Sequence, residues 1–161
     1  MSKRFLALAA IASVALLSAC SSTKLDTNVS DAKATSTVAN VVADHLNPNS
    51  AISKERSVYF DFDKFDIKAD QAAVVARQGK YLAGNAGLNI RAEGNADERG
   101  GREYNLALGQ KRSESVRRAL SVLGVPDSQL EAVSYGKEKP AMQGTDEAAF
   151  AKNRRAEITY R

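Results

Sequence analysis

The spacing of apolar residues after about residue 55 switches repeatedly between two periods, and this limits the possible folds more than any other feature. Alternation of apolar and polar residues is typical of a half-buried strand, whereas apolar residues three or four apart indicate one face of a helix. Gly84 closes the first helical stretch, and Gly124 with Pro126 stops the second. The predicted elements are strands at 58–62, 88–94, 130–135 and 156–160, and helices at 67–84, about 103–123 and near 146–152.

The order strand–helix–strand–helix–strand favours an α/β layer with right-handed crossovers and parallel neighbouring strands. We predict one folded domain over residues 55–161, with no internal repeat.

The first 19 residues are typical of a secretory signal peptide, because Lys3 and Arg4 precede a short apolar run without charge. Small residues then lead to Cys20, the only cysteine of the chain. This arrangement resembles a bacterial lipobox, which implies that Cys20 is acylated (palmitate included) and becomes the first residue of the mature protein. Ser21 fits sorting to the outer membrane. The alternative is a signal peptide with an incidental cysteine.

Residues 20–54 are rich in Ser, Thr, Asn, Asp and Ala and contain no aromatic side chain, so we predict a flexible periplasmic tether. Apolar residues between Val38 and Leu46 recur at helical spacing, and a short helix ending at Pro48 remains possible. His45, the only histidine, is predicted to be solvated.

The net charge of +4 comes from 23 basic and 19 acidic side chains, and the two signs are interspersed along the chain. Secretion and this mixed sign argue against a nucleic-acid partner. With the histidine in a tether and the cysteine acylated, Ser–His, Cys–His and His-rich metal sites are excluded. We therefore predict no metal, no cofactor and no catalytic residue, although paired carboxylates cannot be judged from spacing alone.

Arg112 falls in the middle of an apolar stripe on the second long helix. On a wheel of 100° per residue it lies between Leu108 and Val116, together with Ala119 and Leu123. An unpaired buried guanidinium costs several kcal/mol, so Arg112 must reach water or meet an anion. That anion is either a ligand or an internal carboxylate, and the wheel does not choose between them.

The loop before this helix carries Asp97 between two groups of glycines, just past a predicted strand end. Such strand ends are where open α/β layers bind ligands. An Asp and an Arg in one pocket would suit a zwitterion, with carboxylate facing ammonium and guanidinium facing carboxylate. The alternative is that Asp97 is an ordinary turn or capping residue.

Several separated motifs carry a family resemblance. The stretch RAEGNADERGGREYNLALGQKRSESVRR at 91–118 resembles the OmpA-like peptidoglycan-binding domain, most closely its branch of peptidoglycan-associated lipoproteins (Pal). The runs YFDFDKFDI at 59–67, SYGKEKPA at 134–141 and DEAAFAKNRRAEITY at 146–160 support it. The resemblance implies a β-α-β-α-β-β sandwich of α+β type, a mixed sheet of about four strands with helices packed on it.

The resemblance also implies a binding site for diaminopimelate of the peptidoglycan stem peptide. Asp97 and Arg112 match the pair that grips its zwitterionic end, and Phe62, Asp63 and Leu108 are placed around the ligand. For Phe62 and Leu108, an ordinary position in the core remains the alternative. Many relatives have Thr where this chain has Ala96, so a hydroxyl contact there is lost. Arg154 and Arg155 are interpreted as structural or rim charges.

The function implied is that of a lipid-anchored outer-membrane protein facing the periplasm, which binds peptidoglycan without catalysis. Membership of the Tol–Pal system, with TolB and other Tol proteins as partners and a role in envelope integrity and cell division, rests wholly on the family match. Two alternatives stay open: an OmpA-like wall-binding lipoprotein outside the Tol system, and a wall-cleaving hydrolase.

Overall fold

The computed structural model describes residues 42–161, which form four strands and four α helices. A short 3₁₀ turn, Ala69–Gln71, leads into the second α helix, and another, Asp127–Gln129, leads into the third strand. In chain order the elements are α1 (Ala51–Lys54), β1 (Ser57–Tyr59), α2 (Ala72–Ala83), β2 (Ile90–Asn95), α3 (Arg102–Val122), β3 (Leu130–Gly136), α4 (Glu147–Asn153) and β4 (Arg155–Tyr160).

The strands form one mixed sheet in the order β1-β4-β2-β3, which confirms the predicted α+β class and strand number. Only β2 and β3 are parallel neighbours, while β4 runs antiparallel to both β1 and β2. The prediction of parallel neighbours therefore fails for β1 and β2, because the last strand of the chain inserts between them. This insertion brings the residues just before β4 close to the ends of β1 and β2.

The hydrophobic core lies between one face of the sheet and the helices α2 and α3. Alternate strand residues point into it, such as Ile90 and Ala92 on β2 and Ala156 and Ile158 on β4. The helices contribute Val75, Leu82, Val116 and Leu120 to the same cluster. Burying each large aliphatic side chain stabilises the fold by roughly 1.5–3 kcal/mol, so this cluster holds α3 against the sheet.

Helix α3 crosses β2 at very short range, and two glycines make this possible. A Cβ atom on Gly94 would lie 1.8 Å from the carbonyl oxygen of Gly109, and one on Gly109 would lie 2.3 Å from Oγ of Ser134. Because Arg112 follows Gly109 by about one helical turn, the crossing brings its guanidinium over the end of β2.

The N-terminal segment, residues 43–56, packs on the domain, so the packed region begins before the predicted boundary at residue 55. Ile52 is buried, and the side chain of Gln78 donates to the carbonyl oxygens of Ile52 and Glu55 at 2.9 and 2.8 Å. Residues 44–46 form turns, while residues 38–41 of the short helix that the apolar spacing allowed lie outside the described residues.

His45 is half-buried, which corrects the prediction of a solvated side chain. Its ring stacks on Tyr160 at 5.1 Å between centroids, and its Nδ1 lies 2.9 Å from the hydroxyl of Tyr81. The segment lacks aromatic side chains of its own, but the domain supplies them. The signal peptide, Cys20 and the tether up to residue 41 lie outside the described residues, and among residues 42–161 no helix is long and apolar enough to cross a bilayer.

Candidate functional site

A small cavity of about 110 Å³ opens at the carboxyl end of β2. Three parts of the chain enclose it: the loop after β1, the loop between β2 and α3, and the first turns of α3. The lining residues are Phe62, Asp63, Asp97, Arg99, Gly100, Tyr104, Asn105, Leu108 and Arg112.

Asp97 is a buried carboxylate, with 4 % of its surface exposed, and two arginines pair with it. Its Oδ2 lies 2.6 Å from Nη2 of Arg99 and 3.4 Å from Nη1 of Arg154. Burial is the largest influence and acts to raise the pKa of Asp97. The hydrogen bonds and charges of Arg99, with a contribution from Arg154, outweigh it and hold that pKa below its usual value. Asp97 is therefore ionised at neutral pH.

Arg112 is fully buried, and its guanidinium is held by backbone carbonyls. Nε donates to Lys64 at 2.8 Å, Nη1 to Asn95 at 2.8 Å and Nη2 to Asp61 at 3.1 Å. Burial lowers the pKa of Arg112 to about 10, although the negative charge of Asp97 acts against this shift. A guanidinium has five N–H donors, so two remain for the cavity that Arg112 lines.

The rim of the cavity combines aromatic rings with charge. The guanidinium carbon of Arg99 lies 4.2 Å from the centre of the Phe62 ring and 4.3 Å from that of Phe150. Opposite this stack, the hydroxyl of Tyr104 donates to Asp63, whose backbone has a positive φ of 57°. Cation–π contacts are worth about 0.5–1 kcal/mol at exposed sites, so the two rings add to the ion pair with Asp97 in holding Arg99 at the cavity.

Comparison with known proteins places this arrangement in a family. The OmpA family matches residues 59–154, more than half of the chain. The chain is 41% identical over 163 residues to the peptidoglycan-associated lipoprotein of Haemophilus influenzae, covering 99% of this chain and 100% of that one. The corresponding protein of Pasteurella multocida is 39% identical over 148 residues, covering 92% of each chain.

The chain belongs to the OmpA family, in its branch of peptidoglycan-associated lipoproteins. A crystal structure of the Burkholderia pseudomallei peptidoglycan-associated lipoprotein superposes with a TM-score of 0.70 and 54% identity, covering 73% of this chain and 98% of that one. The C-terminal domain of Helicobacter pylori MotB, 23% identical with a TM-score of 0.61 over 65% of this chain and 83% of that one, shares the fold.

Within this OmpA-family domain, the five residues predicted around the ligand all line the same cavity: Asp97, Arg112, Asp63, Phe62 and Leu108. Phe62 is 59 % exposed, so the alternative interpretation of it as a core residue is wrong. Leu108 is buried and also lines the cavity. Whether any of them contacts a ligand stays a prediction.

The sequence did not single out Arg99 or Arg154 for this site. Arg99 follows Asp97 by two residues inside the loop, a proximity that could have been noticed. Arg154 had no local signal, because it is 57 residues from Asp97 and reaches it only through the insertion of β4. It is buried and also donates to Glu147 at 2.7 Å, so it is a structural charge in contact with the site residue Asp97.

Among residues 42–161 no group of three or more His, Cys, Asp or Glu side chains is arranged to hold an ion. The cavity is lined by the carboxylates of Asp63 and Asp97 together with the guanidinium groups of Arg99 and Arg112, and this combination suits recognition of charged and hydrogen-bonding groups.

Proposed function

We propose that the mature protein is an outer-membrane lipoprotein that binds peptidoglycan non-covalently, with acylated Cys20 in the membrane and the domain on the cell wall. The observation that carries this proposal is the buried, ionised Asp97 at an open cavity beside two arginines that line it. Membership of the family of peptidoglycan-associated lipoproteins supports it.

The ligand we propose is the zwitterionic end of diaminopimelate in the stem peptide. The Asp97 carboxylate accepts hydrogen bonds from the ligand's ammonium group, and the ligand's carboxylate accepts hydrogen bonds from the two remaining N–H donors of Arg112. In the unbound protein the guanidinium of Arg99 pairs with the carboxylate of Asp97, with 2.6 Å between Nη2 and Oδ2. Arg99 has 38 % of its side chain exposed, so it can move toward the ligand carboxylate as the ammonium replaces it. Binding thus replaces the Asp97–Arg99 pair by three pairs, Asp97 with the ammonium group and both Arg112 and Arg99 with the ligand carboxylate, and it leaves no buried charge unpaired.

Selectivity for diaminopimelate over lysine is the test of this proposal. Lysine keeps the ammonium group but lacks the carboxylate, so a stem peptide with lysine at that position should bind more weakly by about 2–5 kcal/mol. Calorimetric titration of the wild-type domain with the two peptides measures the difference without altering the fold. Equal affinity for the two peptides would refute the zwitterion site.

Action within the Tol–Pal system, with TolB as partner and a role in envelope integrity and cell division, is the finer part of the proposal. It is supported by the branch of the family to which the chain belongs. A pull-down with TolB distinguishes it from an OmpA-like wall-binding lipoprotein outside that system, because only the first retains TolB.

A further inference from the structure

Lys137 lies outside the cavity lining, yet it is bonded to the loop that carries Asp97 and Arg99. Its ammonium group donates to the backbone carbonyl oxygens of Glu98 at 3.2 Å and Gly100 at 2.9 Å. An ammonium group has three N–H donors, so most of its hydrogen-bonding capacity is used on this loop.

A second side chain completes the contact with the loop. Nδ2 of Asn105, a buried residue at the start of α3, donates to the carbonyl oxygen of Arg99 at 2.9 Å. The three consecutive carbonyls of residues 98–100 are therefore all bonded to side chains. These bonds fix the orientation of the peptide planes in the loop, and that orientation determines where the side chains of Asp97 and Arg99 point.

The sheet explains why Lys137 is in reach of this loop. Strands β2 and β3 are parallel, so their carboxyl ends meet at one edge, with Asn95 opposite Gly136. The amide of Ala96 then donates to the carbonyl oxygen of Gly136 at 2.7 Å. Lys137 is the next residue, and its side chain extends along the loop that leaves β2.

We infer that Lys137 is a positioning residue for this cavity, which holds residues 98–100 so that Asp97 and Arg99 face the ligand. The inference rests on the proposed function. It also assigns a role to the SYGKEKPA motif, which contributes no residue to the cavity lining. Lys137 acts through the loop and does not touch the ligand.

Three variants test this role: Lys137→Met, which removes the donor; Lys137→Arg, which keeps a cationic donor; and Lys139→Met as a matched control. Lys139 lies 3.6 Å from the centre of the Tyr135 ring and 3.9 Å from Glu93, away from the loop. Each variant is titrated with a stem peptide containing diaminopimelate, and amide hydrogen exchange at residues 98–101 is measured without ligand.

Lys137→Met removes both hydrogen bonds to the loop, and we expect it to bind about tenfold more weakly, with faster exchange at residues 98–101 and little change in melting temperature. Lys137→Arg should restore most of the affinity and the slow exchange. Lys139→Met should match the wild type in all three measurements.

Unchanged affinity of Lys137→Met would overturn the inference, as would weaker binding with unchanged exchange at the loop. A large fall in melting temperature that Lys137→Arg does not reverse would show a general structural role instead. Failure of the wild type to bind the peptide would refute the proposed function separately. The exchange comparison between wild type and Lys137→Met in the free protein then decides alone whether Lys137 holds the loop.

Discussion

Arg112 joins three segments of the chain that are far apart in sequence. Its donors reach Asp61 and Lys64 in the loop after β1 and Asn95 at the end of β2, while its own backbone belongs to α3. The sequence left two partners open, a ligand anion or an internal carboxylate, but the structure shows backbone carbonyls as its direct acceptors. Arg112 is therefore structural even if its remaining donors bind a ligand.

Arg112→Met should destabilise the ligand-free domain by about 2–4 kcal/mol, since three carbonyl oxygens lose their donor and the one from Asn95 is buried. Thermal melts measure the change, with Lys111→Met as control because Lys111 is the exposed neighbour on the same helix. Of the two partners that the sequence left open, a ligand anion would have made this change neutral or stabilising, and an internal carboxylate would have made it destabilising. A melting temperature equal to that of the control would show that water replaces the guanidinium without cost.

Ionisation of Asp97 makes the stability of the domain depend on pH in the acidic range. Its pKa is lower in the folded protein than its unfolded value of about 3.9, so the ionised carboxylate contributes stability above that value, and the contribution is lost as pH falls through the folded pKa. Asp97→Asn should melt at a lower temperature than wild type at pH 6, because buried Arg154 loses a partner, and the difference should narrow at pH 3.

Melting curves of wild type, Asp97→Asn and the control Glu98→Gln at both pH values test this prediction. Glu98 is the exposed carboxylate next in sequence. If Asp97→Asn loses as much stability on acidification as wild type, other carboxylates are responsible for the acid dependence.

At the scale of elements, the distance between α3 and the sheet determines whether the site exists. Gly94 and Gly109 allow backbone to approach backbone, which places the first turns of α3 at the carboxyl end of β2. Helix propensity alone would favour alanine at Gly109 by about 1 kcal/mol, so the glycine is explained by packing and not by the helix itself.

Gly94→Ala should destabilise the domain by about 2–3 kcal/mol, because its Cβ would require β2 and α3 to separate. Binding of the stem peptide should weaken with it, since Arg112 moves with the helix. Gly87→Ala is the control, as a Cβ there meets nothing within 4 Å. Thermal melts and calorimetry measure the two effects. If Gly94→Ala were as stable as the wild type, this result would contradict the close approach of α3 to β2.

The elements themselves could largely be predicted from the sequence, because each depends on periodicity within a short window. Helix α3 and strands β2, β3 and β4 lie within a residue or two of their predicted bounds. Strand order could not be predicted, since the insertion of β4 between β1 and β2 depends on contacts across the whole chain. For the same reason the sequence found Asp97 and Arg112 but not the contact between Asp97 and Arg154.

On the scale of the whole molecule, the proposed lipoprotein has two attachments, acylated Cys20 in the membrane and the domain on the cell wall, and mutation should separate them. Cys20→Ala should leave the domain folded but released from the outer membrane, because Cys20 is the predicted acylation site and precedes the predicted domain of residues 55–161. Fractionation of washed outer-membrane vesicles measures this, with Ser22→Ala as the control that keeps the cysteine. Recovery of Cys20→Ala in vesicles free of peptidoglycan would contradict the prediction.

The stack of His45 on Tyr160 holds the N-terminal segment at the end of the sheet opposite the cavity. Tyr160 pairs with Ile90 at one end of the sheet, whereas the cavity lies at the other end, beyond Asn95. The chain runs from the N-terminal segment into β1 and then directly to the cavity loop at Phe62. In the proposed function, a pull between membrane and wall would act along β1, whose hydrogen bonds to β4 lie across that direction. The bonds are sheared together and not opened one after another, the geometry in which a short strand resists force best.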